Sequence, residues 1–236
     1  MTVAVEPTLE AMLHIYSLSA DGGDRSPRFQ AYLEACRSGR KLQGFNPMTT
    51  KPVAAAIESL LAFDAERIAL EAGRTATDAI GADDDVDLFL SVAAPGMWTD
   101  ARATTIEHRL APRHHGEVLL WFDEAVTAEA VRAAAAEQTV RAAWWARSDS
   151  QQPTVAEVSR REGLAGVVAG RTGDASARAE QILHTVAADR SRGSAVAYLF
   201  GDDAAALFGY TALGLDVDEG LGHALSSVQR LRLDHV

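Results

Sequence analysis

Apolar residues recur along this chain in two kinds of pattern, and each kind predicts a different secondary structure. Short, nearly uninterrupted apolar runs bounded by Gly, Pro or Asp are typical of buried strands. These runs predict six strands, at residues 13–18, 86–94, 117–123, 163–170, 195–200 and 204–210. Longer stretches with apolar residues at helical spacing predict helices. They lie at residues 28–36, 52–80, 101–110, 127–147, 174–188 and 219–231. Residues 148–162 are polar and predict a surface connection.

The last two apolar runs are joined by Gly201, Asp202 and Asp203, and they predict a terminal β-hairpin. Glycine supplies the unusual backbone angles of such a turn, and aspartate bonds nearby backbone amides. A two-stranded hairpin is not stable alone, so helices must cover it. Because helices separate the other strands, the predicted fold class is α/β, with a mostly parallel sheet covered by helices and this hairpin at its end.

The helix at residues 127–147 is rich in alanine and apolar on nearly every side, which is typical of a helix buried at the centre of a domain. A length of 236 residues suits a single domain over residues 1–236. Residues 1–50 form an N-terminal region that the pattern defines less clearly. Residues 216–236 form a C-terminal tail or helix.

The charge balance excludes some classes of partner. The chain has 33 Asp and Glu against 22 Lys and Arg, a formal net charge of −11. This argues against nonspecific binding to nucleic acid or to an anionic membrane. No apolar run is long enough for a membrane span, and the N-terminus lacks the pattern of a signal peptide. The one cysteine, Cys36, cannot form an internal disulfide, so we expect a reducing cytoplasm.

Few residues stand at the spacing that metal or nucleophile chemistry requires. Cys36 lies on the apolar side of its predicted helix, where a lone cysteine is usually a small core residue. The neighbours His114 and His115 do not project together, and no Cys or carboxylate stands at ligand spacing from them. We therefore expect a solvated loop there, no metal site, and no cofactor.

Three segments resemble ketoacyl-ACP synthase III, one of the thiolase-fold condensing enzymes. The D-R pair at 189–190 and the L-F-G-D run at 199–202 are similar to one family segment, although Asp203 stands where the family usually has glycine. The run VDLFLSVAA at 86–94 is similar to a family strand. The pair F-D at 122–123, before a buried helix, is similar to a third family element.

The resemblance covers roughly residues 63–208 and implies half of a thiolase-like fold, the family's N-terminal half. Four residues would then shape structural turns: Asp189, Arg190, Gly201 and Asp202. The family dimerises through an edge strand that resembles residues 163–170. The resemblance thus implies a dimer interface formed by Leu164, Val167 and Val168.

The nucleophilic cysteine of the family is absent. Counted from the F-D pair, its position falls at Ala128, or at Thr127 if the turn is one residue shorter. The resemblance therefore implies a noncatalytic ketosynthase-like subunit that pairs with an active condensing enzyme, or with itself, in polyketide or fatty-acid-type biosynthesis. An acyl carrier protein is a further candidate partner. The alternative is a small acyl-transfer or cyclisation enzyme that uses Thr127, His108 or His184.

Overall fold

The computed structural model describes residues 2–18, 25–39, 42, 45–94, 100–112, 116–124, 126–148 and 152–233. The strands are β1 (Val3–Glu6), β2 (Val86–Ala93) and β3 (Glu117–Trp121). The helices are α1 (Leu9–Ser17), α2 (Ser26–Arg37), α3 (Val53–Ala62), α4 (Ala65–Ile80), α5 (Ala101–Leu110), α6 (Ala128–Arg147), α7 (Val155–Val168), α8 (Ala177–Val186), α9 (Arg192–Phe200), α10 (Asp202–Leu207) and α11 (Glu219–Leu233). The predicted α/β class is confirmed at this level.

The three strands form one parallel sheet in the order β1-β2-β3. Val3 pairs with Val86 in the first strand pair, and Ala93 pairs with Trp121 in the second. All residues of the central strand β2 except Asp87 are buried, as expected for a parallel strand covered on both faces. The strands predicted at 86–94 and 117–123 are confirmed. The apolar pattern does not predict β1, which has only four residues.

The chain divides into two compact units. Unit 1 comprises Met1–Ala101 and Gly116–Thr139, and unit 2 comprises Arg102–His115 and Val140–Val236. Unit 1 contains the sheet and α1 to α4, and unit 2 contains α7 to α11. The chain passes between the units three times, so neither is a contiguous stretch of sequence. The single-domain organisation stays a prediction.

Polar contacts connect the helices of unit 1 to its sheet. The Thr8 hydroxyl, just before α1, donates to the Leu90 carbonyl oxygen of β2 at 2.7 Å. The Glu66 carboxylate of α4 accepts from the backbone N–H groups of Thr8 and Leu9, at 2.7 and 3.0 Å. These two amides begin α1, where N–H groups have no partner within the helix, so Glu66 supplies the acceptors they need.

Helix α6 is confirmed as a largely buried helix. It begins at Ala128, within one residue of the predicted start, and every residue from 135 to 143 is buried. Its residues up to Thr139 belong to unit 1, and those from Val140 onward belong to unit 2. Burial on all sides explains why its apolar pattern shows no clear stripe.

Glycines allow the helices of unit 2 to pack closely. A Cβ at Gly163 of α7 would overlap the Ala224 carbonyl of α11, and a Cβ at Gly220 of α11 would overlap the Tyr198 carbonyl of α9. Helix α11 therefore lies against α7 and α9 with little space between the backbones. The apolar core of this unit includes Val155, Val158, Val196, Tyr198, Leu199, Phe200, Leu215, Leu221 and Leu225.

The predicted terminal hairpin is wrong. Residues 195–200 lie in α9, and most of residues 204–210 lie in α10 or the turn after it. Residues 195–200 are all buried, so the run shows neither a period of two nor one of 3.6, and its length does not separate strand from helix. Alanine, frequent in both runs, has the highest helix propensity.

The predicted strand at 163–170 is also wrong, because residues up to Val168 belong to α7. The helix starts in a stretch expected to be a polar connection, at a capping box formed by Thr154 and Glu157. That box is an explicit start signal for a helix. The glycines that suggested a strand edge instead allow the close approach of α11.

Two N-terminal predictions need correction. Residues 13–17 lie in α1, so the strand predicted at 13–18 is wrong. The helix predicted at 52–80 is two helices, α3 and α4, which meet at Phe63 and Asp64. Asp64 has a φ of +57°, which a continuous right-handed helix does not contain. The helices predicted at 28–36, 101–110, 174–188 and 219–231 are confirmed as α2, α5, α8 and α11.

Candidate functional site

Thr127 and Ala128, at the position expected for the family cysteine, form the start of α6. The Thr127 hydroxyl accepts from the Ala130 N–H at 3.1 Å, and its carbonyl accepts from the Val131 N–H at 3.0 Å. Thr127 is therefore the N-cap of the helix. This contact uses the hydroxyl as an acceptor in a structural role.

Asp189 and Arg190 form a structural turn that joins the starts of two helices. The Asp189 carboxylate accepts from the Ser191 N–H and the Ser194 hydroxyl at the start of α9, and these bonds lower its pKa. Its carbonyl oxygen accepts from the Val155 N–H of α7 at 2.8 Å. Arg190 donates to the Gln152 carbonyl, just before α7. The turn thus connects the start of α7 to the start of α9.

Gly201 and Asp202 also form a structural turn, but it joins two helices rather than two strands. Gly201 has a φ of +82°, and a Cβ there would overlap the Asp216 carbonyl, so both the angle and the space require glycine. The Asp202 carboxylate accepts from the backbone N–H groups of Leu213 and Gly214, at 2.8 and 3.1 Å. The turn therefore anchors the loop before α11.

The three residues assigned to a dimer interface, Leu164, Val167 and Val168, lie half-buried on α7. Pairing of strand edges at these residues is excluded, because their backbone amides belong to a helix. Val167 packs against the core of unit 2. The edge-strand interface is therefore wrong in its geometry.

The residues considered for reassigned catalysis lie in, or at the start of, three different helices. His108 is buried in α5, and His184 is exposed on α8. Cys36 is half-buried on α2, in unit 1. Burial, followed by a hydrogen bond to Cys36, raises the pKa of Tyr32. His114 and His115 lie outside the described residues.

The best candidate for a ligand site is a cavity of about 570 Å³ in unit 2, here called the Trp145 cavity. Ligand sites in proteins typically measure roughly 300–1,000 Å³ and have mostly apolar walls with a few polar groups. The end of α5, Trp145 of α6, Val158 of α7 and the start of α9 contribute its walls. Its lining comprises Leu110, Ala111, Pro112, Trp145, Gln152, Pro153, Val158, Arg190, Ser191, Arg192 and Ala195.

Two exposed arginines, Arg190 and Arg192, supply the charge of this cavity. The Arg192 guanidinium lies 3.5 Å from a Glu107 carboxylate oxygen in a contact that is open to solvent. Between them, the Ser191 hydroxyl accepts from the Ser194 N–H at 3.1 Å and caps α9. The capped helix start fixes the backbone from which both guanidinium groups project.

A buried cluster of charged residues lies directly behind Trp145. The Glu162 carboxylate accepts from Arg141 at 2.8 and 3.1 Å and from the Arg161 Nε at 2.9 Å. Arg161 also donates to the Arg109 carbonyl at 3.0 Å, next to the cavity residue Leu110. Its guanidinium carbon lies 5.3 Å from the Trp145 ring centroid. Arg161 therefore lies against the wall residue Trp145 and bonds the residue that precedes Leu110.

The two arginines decide the protonation state of Glu162. Burial alone would raise the pKa of this carboxyl, but the charges of Arg141 and Arg161 outweigh burial and lower it to about 2. Burial also lowers the pKa of the Arg161 guanidinium, against the attraction of Glu162. With Glu162 ionised and both arginines protonated, these three side chains have a formal charge of +1, close to Trp145.

Two other cavities are less suited to a ligand. One in unit 2, about 780 Å³, is lined by Asp174, Asp216, Asp218 and Glu219, and Arg178 pairs with two of these carboxylates. One in unit 1, about 470 Å³, lies between α1 and α2. Within the described ranges, no group of three or more His, Cys, Asp or Glu side chains is placed to hold a metal ion.

In the part of the chain that the structure covers, no helix is long and apolar enough to cross a membrane. Comparisons of the chain with models of protein families, with curated proteins and with solved structures found no match. The resemblance to condensing enzymes is therefore not tested by any relative.

The sequence contained partial signals for the Trp145 cavity. Ser191, flanked by Arg190 and Arg192, comes before an apolar run, which is the pattern of a helix N-cap between two cations. The neighbours Trp144 and Trp145 lie at the end of a buried helix. The sequence does not predict that four segments form one cavity, because this depends on their tertiary packing. These segments are residues 110–112, 145, 153 and 190–195.

Proposed function

We propose that unit 2 binds a small organic anion in the Trp145 cavity. The observation that carries the proposal is the pair of guanidinium groups, Arg190 and Arg192, on an otherwise mostly apolar cavity of ligand size. Guanidinium is planar, permanently charged and offers five N–H donors, which suits carboxylate and phosphate groups. The apolar walls, Trp145 and Val158 among them, suit the carbon body of the same ligand.

The charge around this cavity is opposite to that of the whole chain. The formal net charge of the chain is −11. The described segments 102–112, 141–148, 152–162 and 189–192, which build the cavity and its surroundings, carry eight arginines against four carboxylates. A local positive potential in a cleft raises the concentration of anions there and speeds their association.

The lining supports binding rather than bond-making chemistry. The described lining residues include no imidazole, thiol or carboxylate that could act as a nucleophile or general base. The one hydroxyl, on Ser191, takes part in the N-cap of α9. We therefore assign a recognition role to this cavity.

Isothermal titration calorimetry with two probes of equal shape tests the proposal. The wild type should bind 2-naphthoate at least about tenfold more tightly than the neutral 2-naphthamide, because a hydrogen bond to a charged group contributes about 1.5–3 kcal/mol. Arg192→Gln should remove most of this difference. Arg160→Gln, which removes an exposed arginine outside the lining, is the matched control and should not. Equal affinity for both probes, or no binding, would contradict the proposal.

A second candidate function is the noncatalytic partner of a condensing enzyme, built on half of a thiolase-like fold. Two observations favour it: VDLFLSVAA forms strand β2, and the F-D pair at 122–123 precedes the buried helix α6. The L-F-G-D segment does not favour it, because it ends α9 and begins α10. Co-expression with a ketosynthase and an acyl carrier protein tests it. A stable complex is expected, and the recovery of each protein alone would count against the role.

A further inference from the structure

The walls of the Trp145 cavity are held rigidly. The Trp144 ring meets the Trp145 ring edge to face, with centroids 4.8 Å apart and an interplanar angle of 82°. The Arg161 guanidinium lies near both rings, at 5.2 and 5.3 Å from their centroids. Arg161 is itself fixed by Glu162 and by the Arg109 carbonyl. The Trp145 indole therefore has little freedom to reorient when a ligand enters.

Four further lining residues are also stiff. Pro112 and Pro153 have fixed rings, Val158 is branched at Cβ, and Ala195 has no side-chain torsion. Methionine, which adapts to irregular ligands, is absent from the described lining. The wall that these residues form with Trp145 favours a ligand of fixed shape, because its side chains have few rotamers with which to repack around a flexible chain.

Building on the proposed function, we infer that the ligand class is the planar aromatic acids. Arg161 lies over the Trp145 ring, and Trp145 also lines the cavity, so the indole offers an aromatic surface to a ligand there. Aromatic rings favour offset-stacked or edge-to-face contact with such a surface, beyond the gain from burial. A flat ring system also loses little conformational entropy on binding, unlike an acyl chain. The carboxylate of the ligand lies toward Arg190 and Arg192.

Calorimetric titration of the intact protein with 2-naphthoate and with trans-decalin-2-carboxylate tests this inference. The two acids share charge and carbon skeleton, but only the first is planar. The wild type should prefer 2-naphthoate by about three- to tenfold, which corresponds to one aromatic pair. Trp145→Phe, which keeps an aromatic ring, should retain the preference, whereas Trp145→Leu should abolish it.

The outcomes separate the inference from the function on which it rests. Equal or tighter binding of the saturated acid, or a preference that survives in Trp145→Leu, overturns the aromatic class while an anion site remains. Binding of neither acid overturns both. Circular dichroism of each variant checks that a lost preference does not come from lost folding.

Discussion

Replacing Glu162 by Gln tests the electrostatics of the buried cluster behind the cavity. The substitution keeps the shape of the side chain but removes the carboxylate that accepts from both Arg141 and Arg161. Both are almost fully buried, with 6% and 0% of their side-chain surfaces exposed. Breaking a buried ion pair by removing one partner usually costs about 3–5 kcal/mol, because the remaining charge is uncompensated.

The same two arginines lower the pKa of Glu162, which links this effect to pH. The folded protein lowers it from 4.5 to about 2. At about 1.4 kcal/mol for each pH unit, this corresponds to a stability contribution of about 3 kcal/mol at pH 7. A lowered folded-state pKa stabilises the protein above the unfolded-state pKa, and this contribution disappears as the pH falls through the folded-state value. The difference between wild type and Glu162→Gln should therefore shrink to about 1 kcal/mol near pH 3.

Urea denaturation at pH 7 and at pH 3 measures this difference, and Arg161→Met is the informative control. That variant keeps the ion pair between Arg141 and Glu162 and removes the charge of Arg161. It should cost about 1–2 kcal/mol, mainly the contacts with the two tryptophans. A Glu162→Gln protein within 1 kcal/mol of the wild type at pH 7, or a loss that does not change with pH, would refute the reasoning.

Three further predictions concern other parts of the structure. Gly220→Ala should destabilise the protein by more than about 2 kcal/mol, because the new Cβ overlaps the Tyr198 carbonyl. In Gly222→Ala, on the same helix, the new Cβ has its nearest atom at 3.5 Å, so this variant should stabilise the protein by up to about 1 kcal/mol. Thermal unfolding of both variants decides this, and a shift of the same sign in both would contradict it. Thr127→Ala should cost about 1 kcal/mol as a lost N-cap. Intact mass spectrometry of the wild type after incubation with acyl-CoA and acyl-ACP should show no acyl adduct. An acyl group on Thr127 or Cys36 would contradict the prediction that the protein has no acyl-accepting nucleophile.

The sequence predicted elements well where one physical signal dominated. Strand β2 is a long apolar run between an acidic turn and a Gly-Pro segment, and α6 is an alanine-rich helix too long for a strand, so length settled both assignments. Gly201 was correctly predicted as a turn residue, because its local requirement for glycine does not depend on which elements it joins.

The sequence misled where burial removed the periodicity. The run at 195–200 is buried on all sides, so no polar positions marked a helical repeat. Gly163 and Gly166 suggest an edge strand in the sequence, but in the structure they leave the space in which α11 packs against α7. The sequence predicts a surface connection at Arg161 and Glu162, because charged residues are rarely buried without partners. Their partners Arg141 and Arg109 are distant in sequence.

Fluorine NMR of protein labelled with 5-fluorotryptophan tests the central claim most directly, because it locates the bound anion. The Trp145 resonance is assigned by its loss in Trp145→Phe, and Trp121 of strand β3 in unit 1 is the internal control. On titration with 2-naphthoate, the Trp145 resonance should shift and saturate while that of Trp121 stays in place. An unchanged Trp145 resonance at saturating 2-naphthoate would contradict the assignment of this cavity as an anion site.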